Sequence, residues 1–298
     1  MKKIAYTLFS AAVALSLFSG SVSAKKNLNL IVNGVPATSA QSYIDSGTTV
    51  VPLNIVSNFP GVTITWNNAI KTLNLKSSDS NISLQVGDKF ALINNVKKNL
   101  SYPVKVEKGR VMVPLRFISE SVGASVGWNS HTNTVYVSKQ SKAVKEKIES
   151  NILSEERSGV LSLPRFDLLP EIKISKQYNE DLTQFLYFTE GKADSFFIRT
   201  GDVIRYYKIN ENASNLTWIG KVDLNKKETN KGLSFLPYKI VQEYGQKPAI
   251  SNKLVYFKVM LPIMEAEYGF VNQDGAQEKL GQKEVSLNQV FDIQEEIK

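Results

Sequence analysis

The sequence predicts an α+β fold: a tandem repeat of small antiparallel β units, each with a short helix, followed by a β-rich, antiparallel C-terminal domain. Three observations predict it. Residues 49–75 and 111–137 match each other without a gap at a constant offset of 62. Within each match a proline opens a short apolar helical pattern and a glycine closes it. Beyond residue 182, short runs rich in aromatic and aliphatic residues are separated by polar turns. Gap-free self-similarity marks a duplicated supersecondary unit, and short strand-like runs bounded by turn residues mark antiparallel strands.

The first element is not part of the fold. Lys2 and Lys3 precede an uncharged apolar stretch from Ile4 to Phe18, and Val22 and Ala24 sit at the small-residue positions of a cleavage site. This reads as a secretory signal peptide over residues 1–24. The apolar stretch is short of the roughly 20 residues that span a bilayer. No cysteine follows to carry a lipid, and no later stretch reaches transmembrane length. The expectation is a secreted, extracellular protein, either free or associated with the cell wall, with no transmembrane segment after cleavage.

The repeat, residues 25–139, comes next. Identical pairs include Val51/Val113, Pro52/Pro114, Leu53/Leu115, Gly61/Gly123, Trp66/Trp128 and Asn67/Asn129. Val50-Val51 and residues 111–113 end a strand. Pro52 and Pro114 fall where a helix begins, a place where the missing N–H costs nothing. Leu115, Ile118 and Val122 recur on one helical face. Gly61 and Gly123 supply left-handed caps. A strand carrying Trp66 or Trp128, a polar turn and an alternating strand complete each unit. The tryptophans read as core anchors, with a sugar-stacking role as the alternative. Arg116 reads as a structural side chain seeking a carboxylate or carbonyl, and His131 as an exposed turn residue.

The segment VPLRFISESVGASVGWNSHTNTVYV, with Asn33-Gly34 upstream, resembles the bacterial stalk domain, also called the copper amine oxidase N-terminal-like domain. The second copy carries the pattern at Pro114, Leu115, Arg116, Phe117, Ile118, Gly123, Trp128 and Thr134. The first copy departs from it, with Asn54 at the arginine position and Phe59-Pro60 before Gly61. The resemblance covers residues 28–139 and implies a non-catalytic accessory module of exported and cell-surface proteins. The family's amine oxidase chemistry belongs to a different domain, built on three copper-binding histidines and a tyrosine-derived quinone. No copper, no other metal or cofactor and no oxidase activity are therefore expected.

Residues 140–165 read as a helical linker, with Val144, Ile148 and Ile152 spaced four apart. Residues 166–298 read as the β-rich domain. Strands are expected over residues 182–189, 195–199, 203–209, 215–222, 253–261 and 268–271, with a terminal strand or short helix over 285–293. Phe185, Tyr187, Phe188, Phe196, Phe197, Tyr206, Tyr207 and Trp218 crowd this half. Alternation sends neighbouring aromatics to opposite faces, so one of each pair either faces outward as a sugar-binding surface or, like its neighbour, fills a core.

Composition removes much of the remaining chemistry. With no cysteine and one histidine, His131, there can be no thiolate nucleophile, thiolate zinc site or HExxH pair. A Ser-His-Asp triad could form only around His131. No P-loop, GxGxxG or GxSxG motif is present. Asp167, Glu171, Asp194, Asp202, Glu265 and Glu267 are the carboxylates from which a glycosidase pair could be drawn. The formal charge of +8 is unevenly spread. Residues 25–139 hold 12 basic and 5 acidic residues, or +7, and residues 140–298 hold 22 and 23, or −1. Lys97, Lys98, Lys105, Lys108 and Arg110 are the candidate polyanion contacts. The leading expectation is a non-enzymatic envelope or extracellular protein whose stalk-like module presents the C-terminal domain and contacts anionic or glycan wall polymers. A secreted hydrolase with a carboxylate pair in the C-terminal domain is the alternative, and an inhibitor or regulator of another exported protein a third. Nucleic acid is not expected as a partner.

Overall fold

A computed structural model describes residues 28–37, 41–178, 183–228, 233–261 and 263–296. The expected signal peptide lies outside the described residues.

Among the described residues the repeat module contains thirteen strands: β1 (Asn29–Val32), β2 (Val35–Pro36), β3 (Tyr43–Asp45), β4 (Thr48–Pro52), β5 (Thr63–Asn67), β6 (Thr72–Lys76), β7 (Asn81–Gln85), β8 (Phe90–Ile93), β9 (Val96–Asn99), β10 (Lys105–Glu107), β11 (Arg110–Pro114), β12 (Ser125–Asn129) and β13 (Thr134–Ser138). They form three sheets, ordered β10-β11-β4-β3, β12-β13-β1-β2 and β5-β6-β7-β8-β9.

The two copies are interlocked rather than strung in line. Hairpin β1–β2 lies 62 residues before β8–β9, yet it joins the sheet of the second copy, where β1 runs parallel to β13. Hairpin β8–β9 in turn joins the sheet of the first copy, with β7 between it and β6. Each copy thus completes the other's sheet. One core serves both, from Leu30 and Val51 through Leu73 and Leu84 to Val113, Ile118 and Val137.

The short helices form where expected and differ in kind. The second copy makes α1 (Leu115–Ser121), and Gly123 follows at φ +78°. The first copy makes only a 3-10 segment, Leu53–Asn58, which ends as Phe59 turns extended (φ −81°, ψ 129°). Pro60 follows and enforces that, because a residue before proline is driven from the helical region. Pro52 and Pro114 are the extended residues that precede these helices rather than their first helical residues.

Residues 140–165 contain two helices, α2 (Lys142–Ile148) and α3 (Leu153–Leu161). They pack on the C-terminal sheet, where Val160, Leu161 and Leu163 are buried with Val144 and Ile148 against them. The fourfold apolar spacing breaks at Ile152, which is the residue before α3 and is 48% exposed.

The remaining strands are β14 (Arg165–Phe166), β15 (Thr183–Thr189), β16 (Ser195–Thr200), β17 (Val203–Asn210), β18 (Ala213–Lys227), β19 (Tyr238–Gly245), β20 (Leu254–Met260), β21 (Glu265–Val271) and β22 (Gln277–Glu284). They build one antiparallel sheet in the order β22-β21-β20-β15-β16-β17-β18-β19, with β14 parallel to β18. Alternation divides the aromatics between its two faces. Phe188, Phe196, Tyr207 and Phe257 meet α3 and the C-terminal segment. Tyr187, Phe197, Trp218 and Tyr256 lie under Leu233, Phe235 and Leu236. Residues 285–293 are neither strand nor helix; they are an irregular cover that inserts Val290 and Ile293 into the first of these cores.

The module is docked on this sheet through the second copy. The Asn129 amide donates to the backbone oxygens of Asp167 (2.6 Å) and Leu169 (3.1 Å). Asn212 accepts from the Gln140 N–H (2.9 Å) and donates to the Gly123 oxygen (3.1 Å) and to Ser125 Oγ (3.2 Å). Tyr136, Phe166 and Ala213 form a small apolar centre between these two hydrogen-bond groups.

Candidate functional site

The motif residues of the repeat fall into two roles. Pro52, Pro114 and Leu115 are buried, and Gly61 (φ +67°) and Gly123 are the left-handed caps. Leu53, Arg116, Trp66 and Trp128 are more accessible, and with Pro52 and Leu115 they line two open grooves.

The larger groove, about 890 Å³, lies between the first 3-10 segment, β5 and the start of β11. It is lined by Leu53, Asn54, Asn58, Trp66, Arg110 and Val111, among others. The second, about 510 Å³, is lined by Thr48, Thr49, Ser101, Leu115, Arg116 and Trp128, among others. The two are images of one another. Trp66/Trp128, Ile64/Val126, Leu53/Leu115, Asn54/Arg116 and Arg110-Val111/Thr48-Thr49 are all related by the 62-residue offset. Each groove takes its tryptophan from one copy and its opposite rim from the other, because β4 and β11 exchange across the middle sheet.

Trp128 departs from the expected core position. The residue is 37% exposed, whereas Trp66 is half-buried and packed against the core. Arg116 pairs with Glu120 Oε1 at 3.3 Å, both side chains more than half exposed. Such a surface pair contributes little to stability and exchanges readily for another anion.

The five candidate polyanion contacts are spread over several elements. Lys97 and Lys98 are exposed on the edge strand β9, where lysines also discourage edge-to-edge pairing. The Lys97 ammonium lies 4.1 Å from the centre of the Phe90 ring. Lys108 and Arg110 are exposed at the β10–β11 turn. Lys105 is engaged: its ammonium donates to the Tyr102 hydroxyl (2.6 Å), which donates to Asp45 (2.9 Å). That hydrogen bond raises the Lys105 pKa above its ordinary value.

The acidic side chains of the C-terminal domain are tied into its frame. Asp202 is buried and accepts from the N–H and hydroxyl of Ser175, with the Lys221 ammonium 3.5 Å away. Asp167 accepts from the buried Tyr207 hydroxyl (3.0 Å). Burial, more than this neighbouring carboxylate, drives the Tyr207 pKa up. Glu267 takes hydrogen bonds from Lys279 (3.0 Å) and Tyr256 (3.2 Å), and the first of these holds its pKa below the usual value. Asp194 and Glu265 accept from Ser195 and Gln282, and Glu171 is exposed. No group of three or more His, Cys, Asp or Glu side chains among the described residues is placed to hold a metal ion. His131 is exposed in the β12–β13 turn, its N–H donating to Asn129 Oδ1. No helix among the described residues is long and apolar enough to cross a membrane.

Sequence reasoning weighed the tryptophans strand by strand and so missed the grooves. The available signal was the repeat itself, which retains a tryptophan at both equivalent positions.

Residues 31–153 match the family model of the copper amine oxidase N-terminal domain. That family is a non-catalytic accessory domain, and the match runs past the last strand of the repeat module through α2. No curated protein matches the chain.

Proposed function

We propose that this chain, whose residues 31–153 carry the copper amine oxidase N-terminal module, is an exported, non-enzymatic protein of the bacterial envelope that holds its C-terminal domain at the cell wall. The observation that carries the reading is the division of charge between two docked parts. The repeat module bears +7 and the remainder of the mature chain −1, and the two are joined through Asn129 and Asn212. A polyanionic wall polymer would therefore draw on the repeat module rather than the rest of the chain, through long-range attraction that salt screens within about 10 Å at 0.1 M. The leader-like N-terminus supports export, and the engaged carboxylates favour a non-catalytic C-terminal domain over the hydrolase alternative.

The test uses the whole mature chain and isolated bacterial cell walls. Retention at low salt that is lost at high salt is the expected result. Failure to be retained at low salt overturns wall contact, and release of sugar or peptide fragments overturns the non-enzymatic reading.

A further inference from the structure

We propose that the two tryptophan grooves are twin sites for an acidic saccharide, with a sugar ring laid on each indole and a carboxylate or phosphate held by the adjacent arginine. The envelope reading supplies only the source of the ligand; the sites themselves are argued from the grooves.

Single exposed apolar side chains are ordinary on protein surfaces. Here a tryptophan borders a groove at both equivalent positions of a duplicated fold. Around it the lining has diverged, yet each groove contains one arginine, supplied from a different place. In the first it is Arg110, from the strand opposite Trp66; in the second it is Arg116, from the helix beside Trp128. The equivalents of these arginines are Thr48 and Asn54, so each groove has a guanidinium at one of the two positions and a short polar side chain at the other.

The rest of the lining narrows the ligand class. Leu115, Val135 and Ile55 are 0%, 2% and 3% exposed and offer a ligand little surface, while Leu53, Ile64 and Val111 in one groove and Val126 in the other are half-buried. Beside these half-buried aliphatic side chains stand an indole, a guanidinium and short hydroxyl or amide groups: Asn54 and Asn58 in one groove, Thr48 and Ser101 in the other. An aromatic face takes up the apolar C–H face of a pyranose, short polar side chains exchange hydrogen bonds with its hydroxyls, and a guanidinium binds an oxyanion through two parallel bonds. The volumes, about 890 and 510 Å³, lie within the range of small-ligand sites.

The test uses the full mature chain and two acidic probes: soluble glycan strands stripped of peptide, which carry carboxylates, and purified wall teichoic acid, which carries phosphates. Cellohexaose is the neutral control, inorganic polyphosphate the charge control and a wall stem peptide the peptide control. Trp218 is fully buried, so changes in indole emission report the grooves. The expected result is a shift in emission and two sites per chain by calorimetry with one or both acidic saccharides; the probe that binds identifies the anion. Arg110→Ala and Arg116→Ala should each weaken one site by about tenfold or more, and Trp128→Ala should remove the second. Cellohexaose should bind at least about tenfold more weakly, and polyphosphate and the peptide should leave the emission unchanged.

Unchanged emission with both acidic saccharides, or an equal shift with polyphosphate or the stem peptide, overturns the proposal. Wall retention that persists unaltered in the Arg110→Ala/Arg116→Ala double variant also overturns it while leaving the envelope reading intact. Soluble saccharide bound at two sites by a chain that walls do not retain overturns the envelope reading alone.

Discussion

Val51 and Val113 face each other across the antiparallel pairing of β4 and β11, and they are the same position of the repeat, 62 residues apart. Their neighbours obey the same relation, with Val50 opposite Pro114 and Pro52 opposite Met112. The pairing is its own image under a local two-fold rotation. The two copies therefore share a register as well as a core, and both valines are fully buried in it.

Truncation at this pair should unsettle both copies together. Val51→Ala and Val113→Ala each remove two buried methyl groups' worth of packing and should cost about 2 kcal/mol. Because the side chains lie on one face of one ladder, the double variant should depart from additivity by about 0.5–1 kcal/mol. Denaturant unfolding of the four proteins measures it; strict additivity would mean that the two copies hold together elsewhere.

Much of this architecture is legible in the chain. The offset of 62 locates both units, the proline and glycine bracket both short helices, and alternation assigns Tyr187 and Phe188 to opposite faces. What is not legible depends on distant partners. β19 and β22 are exposed edge strands rich in charged and amide side chains, so no apolar alternation announces them. The exchange of hairpins between copies leaves no local mark, since β1 would read identically in either sheet. The grooves follow from the pairing of β4 with β11, equally silent in the local sequence: Trp66 and Arg110 line one groove because β11 lies beside β4 of the first copy.

One mismatch in the repeat does carry a message. Thr65 of the first copy is exposed, and its equivalent in the second is the buried Gly127. A Cβ on Gly127 would stand 2.7 Å from Phe166 and 2.9 Å from Leu168. The first copy faces solvent there and the second faces the C-terminal domain. Gly127→Thr, which installs the residue its own repeat carries, should destabilise the docked protein by about 1–3 kcal/mol. Thr65→Gly should cost under about 1 kcal/mol, through strand propensity alone. Thermal unfolding of both variants checks the contrast, and equal effects would show that the docking does not require the glycine.

Asn67 and Asn129 make the same point through hydrogen bonds. Each accepts from two N–H groups in the turn that follows it. Only Asn129 is buried and also donates across the interface. Replacement by aspartate keeps the turn acceptor and deletes the donor. Asn129→Asp should therefore destabilise by about 1–3 kcal/mol, since it leaves two interface carbonyls without a donor and sets a charge among them. Asn67→Asp should lie within about 0.5 kcal/mol of the parent. Comparable losses in the two variants would place the role of asparagine in the turn alone.

Arg157 ties α3 to the C-terminal segment. Its guanidinium donates to Glu296 (2.8 Å to Oε2) and to the backbone oxygens of Lys192 (3.0 Å) and Thr189 (3.2 Å). Both charged side chains are about 98% buried or more. Removing one partner strands the other away from water. Glu296→Ala should cost about 3–5 kcal/mol and should release the segment that carries Val290 and Ile293. Hydrogen exchange over residues 285–296, with denaturant unfolding, is the measurement; a loss under about 1 kcal/mol would show that the guanidinium finds water when its partner is gone.

Glu267 gives the C-terminal sheet a defined response to acid. The Lys279 ammonium holds its folded pKa below the unfolded value near 4.5; burial opposes this, and the Tyr256 hydroxyl adds a lesser lowering. A depressed carboxylate pKa means that the unfolded chain binds the proton more readily. The stabilisation is therefore fully present above about pH 4.5 and is lost as the pH falls through the lower, folded value. Lys279 is half exposed, so solvent screening limits the effect to about 1 kcal/mol or less. The stability difference between the parent and Glu267→Gln should be flat from pH 7 down to about pH 5 and shrink below it. Urea unfolding at a series of pH values decides the matter, and a difference that grows towards low pH would contradict the assigned sign.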